Sequence, residues 1–290
     1  MSSLKNLKNR INNIIGASKI TSALKTINLV KYKKSQNLLS HVVNYNCENI
    51  NLINYLEKNN ECFSNKHKDK KNKILFIVLG SDKGFCGSFN NKIYNELLKQ
   101  IKNIKKKYNI ISIGQEITNN IKNSFSKYLI NKNFYDNKIK DYYNCSKVIF
   151  NNLIIFIKEY INCFIIYTKY FSIFNCKVVV QDFYPINTNK IICKYKKNNN
   201  ITNISIDNNS IFYLIKNIKK NFLYNFFYEF YINSIISEYC ARILAMEEAT
   251  KNSKYILKIL NKKYNKIRQM NITTGLIEII SGYKTSKQIK

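Results

Sequence analysis

Proline is all but missing from this chain and glycine is scarce: Pro185 stands alone, and seven glycines are spread over 290 residues. Residues 17–79 and 186–274 contain neither. That excludes a turn-rich fold in both stretches and permits very long helices. Acidic side chains are few, 17 against 48 basic, for a formal net charge of +31. Arginine occurs only at Arg10, Arg242 and Arg268, whereas lysine is scattered through every segment beside Asn, Ile and Tyr. This is the signature of A/T-rich codons rather than the clustered, arginine-bearing footprint of nucleic-acid recognition. A basic coiled-coil protein that binds nucleic acid is the alternative reading.

The eight cysteines include no C-x-x-C and no close Cys/His set, and His41 and His67 each stand alone. A zinc site and a disulfide framework are therefore not expected, and cysteine is read as a small buried hydrophobe in a reducing compartment. No metal or cofactor is expected. No apolar run reaches the roughly 18 residues that span a bilayer. Residues 1–10 enter a helical pattern directly, so neither a secretory signal nor a mitochondrial presequence is expected. At 45% hydrophobic residues, the chain can nevertheless bury a core.

What is present is a pair of seams. Tyr239, Ile243, Met246, Thr250, Ser253, Leu257, Leu260, Tyr264, Ile267 and Asn271 follow steps of four and three, the spacing of a supercoiled helix. A helix over 208–280 would run on the order of 110 Å, and needs a partner along its length. Near the other end, Leu4, Leu7, Ile11, Ile14, Ser18 and Thr21 form a second seam. From there the apolar stripe is expected to drift to Ile20, Leu24 and Ile27. The spacing predicts an antiparallel coiled coil of the two ends, with Ser18, Thr21, Thr250 and Ser253 allowing close approach.

Between the arms the pattern changes. Residues 59–72 are polar and charged and read as a linker. Residues 73–80 (KILFIVLG) form a short apolar block of strand length, followed by a glycine-bearing turn and a helical pattern at Ile93, Leu97, Leu98, Ile101 and Ile104. A strand at 109–113, helices at 116–125 and 141–160, and strands at 163–170 and 177–180 complete a small α/β domain. The predicted organisation is an N-terminal coiled-coil helix (1–58), the linker, an inserted Rossmann-like α/β domain (73–207) and a C-terminal coiled-coil helix (208–290). The fold class is thus an α/β domain inserted in a long antiparallel α-helical coiled coil.

Gly80, Gly84 and Gly87 follow a strand and precede a helix, which raises a dinucleotide-binding enzyme as a second rival. The spacing matches neither G-x-G-x-x-G nor G-x-x-x-x-G-K-[ST], and Cys86 stands where a third glycine would be needed. A tight structural turn with Gly84 and Gly87 at positive φ is expected instead. No G-x-S-x-G, H-E-x-x-H or Cys–His pairing suggests bond chemistry.

Three blocks resemble the gamma subunit of F-type ATP synthase. Arg10-Ile11, Ser18-Lys19-Ile20-Thr21, Ala23-Leu24, Lys31 and Ser35-Gln36 are similar to its RI…TxKITxAM…K…AQ pattern. Ser81-Asp82-Lys83-Gly84-Phe85-Cys86-Gly87 with Asn90 is similar to SD[RK]GLCGGxN. Ser237-Glu238, Ala241-Arg242, Ala245-Met246, Ala249-Thr250 and Asn252 resemble SExxAR…AMxxATxNA, and the run from Tyr264-Asn265-Lys266 through Arg268-Gln269, Ile272-Thr273, Glu278-Ile279 and Ser281-Gly282 resembles YNKxRQxxITxEIxEIxxG.

The resemblance implies a noncatalytic rotor shaft that couples ion flow through a membrane c-ring to ATP synthesis or hydrolysis at the beta subunits. Its partners would be the alpha and beta subunits, the epsilon subunit and the c-ring, with no nucleotide bound directly. It would lie peripherally on the cytoplasmic face of a bacterial-type inner membrane, rather than on a mitochondrial matrix face. Arg268, Gln269 and Thr273 fall on family positions that meet a beta loop, and Lys19, Leu24 and Arg242 on positions near the acidic lever of beta or supporting the coil. Ile11, Ile14, Ile243, Met246, Leu257, Leu260 and Ile267 would form the seam, and Gly84 and Gly87 the turn. Leu24 and Lys25 replace the usual Met and Glu, a change expected to favour an acidic lever. The three lysines of residues 283–290 depart from the family's small apolar end. The plastid-type regulatory cysteine insert is not evident, so thiol control is not expected.

Overall fold

A computed structural model describes residues 2–58, 71–104, 106–130, 142–157, 159–185 and 208–288. The elements run α1 (Ser2–Lys58), β1 (Lys71–Leu79), α2 (Phe89–Lys102), β2 (Lys107–Ile113), α3 (Gln115–Phe125), α4 (Tyr142–Ile157), β3 (Tyr160–Tyr170), β4 (Cys176–Tyr184) and α5 (Asn208–Gln288). The two terminal helices hold 57 and 81 residues. Neither contains a proline, and Gly16, Gly275 and Gly282 sit inside them without ending them, as the modest helical cost of a single glycine allows. Most of the expected linker, residues 59–70, lies outside the described residues.

The chain divides into two compact units, residues 29–242 and residues 1–28 with 243–290. In the first, a four-stranded sheet has the order β2-β1-β3-β4. β1 pairs in parallel with β2 and β3, and β4 turns back antiparallel to β3. β1 is apolar at every position from Ile74 to Leu79 because both sheet faces are covered. Ile74, Phe76 and Val78 join Ile93 and Leu97 of α2 and Ile117 and Ile121 of α3 in one core layer. Leu75, Ile77 and Leu79 join Ile149, Phe150 and Leu153 of α4 and Phe222, Phe226, Phe227 and Phe230 of α5 in the other.

This second layer explains why α5 is aromatic there on more than one face. Phe222 stacks on Phe226 at 5.5 Å, Phe226 meets Phe230 at 4.4 Å, and Phe183 of β4 lies within 6.5 Å of Phe226, Phe227 and Phe230. The same stretch also meets α1, where Asn46 Nδ2 donates to Glu229 Oε2 (2.7 Å) and to Asn225 O (3.3 Å). A helix hemmed in by a sheet and a second helix has little solvent side left to be polar.

Candidate functional site

Residues 80–90 link β1 to α2 in a turn whose polar groups bond to one another. Ser81 N donates to Asn90 Oδ1 (3.1 Å), and Asn90 Nδ2 donates to Ser81 Oγ (2.7 Å). The Cys86 thiol is buried 3.4 Å from Ser81 Oγ. Across the turn, Glu116 N donates to Ser81 O (3.1 Å) and Gln115 N to Asp82 Oδ1 (3.3 Å), tying it to the start of α3. Groups engaged in this way do not form an open phosphate cradle.

The backbone corrects one expectation. Gly87 takes a positive φ of 57°, but Gly84 does not; the left-handed residue is Phe85, at 63°. Phe85 projects outward at 78% exposure, and its Cβ bears the local backbone clash that makes this conformation rare outside glycine. The glycine the fold requires most lies elsewhere. Gly114, at φ 116°, has room for no side chain, since a Cβ would stand 2.7 Å from Gly80 O.

Arg242 of α5 closes over this turn. Its Nη2 donates to Lys83 O (3.2 Å), its Nε to Gly84 O (3.4 Å), and it pairs with Glu238 one helical turn earlier at 2.5 Å. Both side chains are nearly inaccessible. Burial raises the Glu238 pKa above its ordinary value, while the Arg242 charge opposes that rise. Ser237, beside them, donates to Thr168 O of β3 (3.1 Å), and Ala241 packs on the α2–α3 core layer. The S-E-x-x-A-R block is therefore the face by which α5 grips the sheet and its turn. Arg242, expected near a partner's lever or supporting the coil, directs its guanidinium inward.

In the other unit, Thr21 Oγ1 lies 3.0 Å from Thr250 Oγ1, and Lys25 Nζ lies 3.3 Å from Glu247 Oε2. A step forward along α1 is thus a step backward along α5. Lys251 holds the other Glu247 oxygen at 3.0 Å, and these two lysines keep the Glu247 pKa low, Lys251 first. Lys25 therefore has a partner within the chain.

The stripe expected to drift along α1 does not do so. Ile20 and Ile27 are 62% and 51% exposed, whereas Asn28, Tyr32, Ser35 and Asn46 are buried. Burial keeps the original three-four spacing and crosses onto polar residues, which hydropathy overlooks. The steps of seven from Thr21 through Asn28 to Ser35 carried that signal. Asn28 Nδ2 finds Leu24 O at 2.7 Å, and the Tyr32 hydroxyl lies 2.6 Å from that of Tyr170 on β3.

Of the remaining expected residues, Ile243, Met246 and Leu260 are buried, and Ile11, Ile14, Leu24, Leu257 and Ile267 are half-buried. Lys19, Arg268, Gln269 and Thr273 are exposed, the Thr273 hydroxyl donating to Gln269 O (2.9 Å). Met270, Ile272, Leu276, Ile277, Ile279 and Ile280 are each more than half exposed. Among the described residues, no three His, Cys, Asp or Glu side chains are grouped to hold a metal ion, and no helix is long and apolar enough to cross a membrane.

The sequence model of the ATP synthase family matches residues 3–285. The ATP synthase gamma chain of Mycoplasmopsis synoviae (strain 53) is 30% identical, over 97% of this chain and 98% of its own length. That of Ehrlichia canis (strain Jake) is 28% identical, over 98% and 99%. The chain belongs to the ATP synthase gamma-chain family. Its fold is also found in a Euglena gracilis mitochondrial ATP synthase chain from an OSCP/F1/c-ring structure, with TM-score 0.65 at 15% identity over 98% of this chain and 94% of that one. A chain of the Tetrahymena thermophila ATP synthase central stalk and c-ring is similar at TM-score 0.58 and 19% identity, over 79% of this chain and 99% of that one. Within the family pattern, the glycine turn and the S-E-x-x-A-R block are two sides of one contact, between Lys83, Gly84 and Arg242.

Proposed function

We propose that the chain is the central rotor shaft of an ATP synthase, coupling rotation of a membrane c-ring to ATP synthesis or hydrolysis on the beta subunits without making or breaking bonds itself. The observation that carries this reading is the antiparallel contact of the two end helices, Thr21 with Thr250 and Lys25 with Glu247, in a chain whose family match runs from residue 3 to residue 285. Extended along both helices, that register would set Ile14 level with Leu257, Ile11 with Leu260 and Lys25 with Met246, which supports reading the two seams as one antiparallel coiled coil. In sequence, the α/β domain is inserted between the two helices, its described strands running from Lys71 to Tyr184. α5 has no proline and no break through 81 residues, and a helix without a hinge transmits torque with little loss.

The same register sets the start of α1 level with Gln269. Beyond it no described residue of α1 stands opposite α5, and Met270, Ile272, Leu276 and Ile277 are exposed. An apolar helix end of this kind calls for a covering partner, and the family resemblance supplies one in the alpha–beta hexamer. Arg268, Gln269 and Thr273, at the root of this end, are our candidates for the beta loop, with charge-assisted bonds from Arg268 the strongest. Lys19 and Leu24 are candidates for the lever of beta. Arg242 supports the coil through the turn and makes no direct contact with beta. Epsilon and the c-ring complete the partner set, and the chain sits peripherally on the cytoplasmic face of the membrane. The nucleic-acid alternative finds no support among the relatives.

Affinity purification of the tagged chain under mild conditions tests the reading. Alpha, beta and epsilon subunits should co-purify with ATPase activity. Recovery of the chain alone, or with nucleic acid in their place, would overturn it.

A further inference from the structure

The turn that joins β3 to β4 carries two large apolar side chains that the fold does not bury. Phe171 is 53% exposed and Phe174 84%, with Ile173 half-buried between them. The turn itself is closely bonded: Phe171 N and Ser172 N donate to Asn175 O (3.2 and 3.1 Å), and Asn175 N donates to Ser172 O and Ser172 Oγ (3.2 and 3.1 Å). The rings therefore stand on a fixed hairpin tip, which lowers the ordering cost of meeting a partner.

Just behind the tip, the ladder sets Lys169 of β3 directly opposite Lys177 of β4. Like charges at facing positions of an antiparallel pair oppose folding. Lys169 is half-buried and Lys177 exposed, and among the described residues no carboxylate pairs with either. Lys169 Nζ lies instead 5.4 Å from the centre of the Phe171 ring, a cation held over an aromatic face. A single exposed phenylalanine needs no explanation. Two on a fixed tip, backed by an opposed lysine pair that the fold leaves without a counter-ion, make one surface both apolar and cationic.

We propose that the β3–β4 hairpin is a docking surface for an acidic segment of a partner subunit, which sets apolar side chains on Phe171 and Phe174 and carboxylates on Lys169 and Lys177. Charge complementarity selects this occupant. An anionic bilayer is drawn to clusters of about four to eight basic residues, whereas the hairpin offers two, opposed on one face of a ladder. That number and spacing suit one or two carboxylates on a polypeptide. Burial of the rings supplies the attraction and the lysines supply the selection. The proposal rests on the rotor function above only in expecting the chain to work within an assembly, and it adds a contact on the sheet domain to those on the long helices.

The test introduces Phe174→p-benzoylphenylalanine into the tagged full-length chain, irradiates the complex that the chain brings down, and maps the crosslinked peptides by mass spectrometry. A crosslink to a segment of another subunit that carries acidic and apolar residues together is expected. Lys177→Gln relieves the opposed charges and leaves the contact of Lys169 with Phe171 intact. The melting temperature of the isolated chain should therefore hold or rise, while the crosslink yield at low salt should fall at least about threefold, and high salt should shrink that difference. A crosslink only to this chain, to lipid or to a segment without acidic residues, or no crosslink, would overturn the proposal. So would a lower melting temperature or an unchanged yield in Lys177→Gln. A crosslink to an acidic segment in a complex without alpha and beta subunits would sink the rotor reading and leave this one standing.

Discussion

Replacing Arg242 by alanine isolates the contact between α5 and the glycine turn. The substitution removes the donors to Lys83 O and Gly84 O and leaves Glu238 buried without its cation. An unpaired buried carboxylate escapes by taking up a proton, and that escape caps the electrostatic cost. From the ordinary value of 4.5, protonation at pH 7 costs at most roughly 3.4 kcal/mol, and at pH 5 roughly 0.7 kcal/mol, at about 1.4 kcal/mol per pH unit. The two loop carbonyls add about 1–2 kcal/mol that does not depend on pH. A total near 4–5 kcal/mol at pH 7 agrees with the usual cost of breaking a buried ion pair.

The sign follows from linkage. A carboxyl whose folded pKa is raised contributes stability below its unfolded pKa and loses it as pH rises toward the folded value. Without Arg242 that rise is no longer opposed, so the deficit of the variant should widen between pH 5 and pH 7. Urea unfolding of the full chain and of Arg242→Ala at both pH values measures it. Adding Glu238→Gln to Arg242→Ala should remove most of the pH dependence. A deficit below about 1 kcal/mol at pH 7, or one equal at the two pH values, would show that the pair is not buried as described.

The turn offers a paired test with glycines. Gly114→Ala, at φ 116° with a Cβ 2.7 Å from Gly80 O, should lower stability by about 2 kcal/mol or more, whereas Gly84→Ala should stay within about 0.5 kcal/mol in the same urea titration. On the helix pair, each threonine hydroxyl also donates to its own helix, Thr21 to Ser18 O (3.0 Å) and Thr250 to Met246 O (2.7 Å), so Thr21→Val or Thr250→Val strands no partner and the cross-helix bond should be worth about 0.5 kcal/mol; a double-mutant cycle in thermal unfolding reads that coupling. Arg268 is exposed, so Arg268→Ala should leave the melting temperature of the isolated chain unchanged. If Arg268 meets beta as proposed, the variant should weaken assembly with alpha and beta subunits by about tenfold or more, measured by titrated reconstitution of ATPase activity.

The sheet domain was legible because its signals are local. Residues 73–80 announced β1 by an unbroken apolar run, and Ile93 and Leu97 announced α2 by helical spacing; both lie in the core. The turn was legible as a turn, but Phe85 rather than Gly84 carries the left-handed conformation, since the hydrogen bonds that close the turn, and not the local residue preference, fix where the backbone reverses. The expected drift along α1 fails because hydropathy points to Ile20 and Ile27, whereas burial falls by position on Asn28, Ser35 and Asn46, the last of which bonds to α5.

Sequence alone determined the long helices and the strands between them, since hydrophobic period and the placing of helix breakers act over a few neighbouring residues. Only the tertiary structure decided that Arg242 turns inward to Lys83 and Gly84, and that Lys25 pairs with Glu247. The partners in these pairs lie far apart along the chain. A charge takes its partner from what folding places opposite it, and no local pattern records that neighbour.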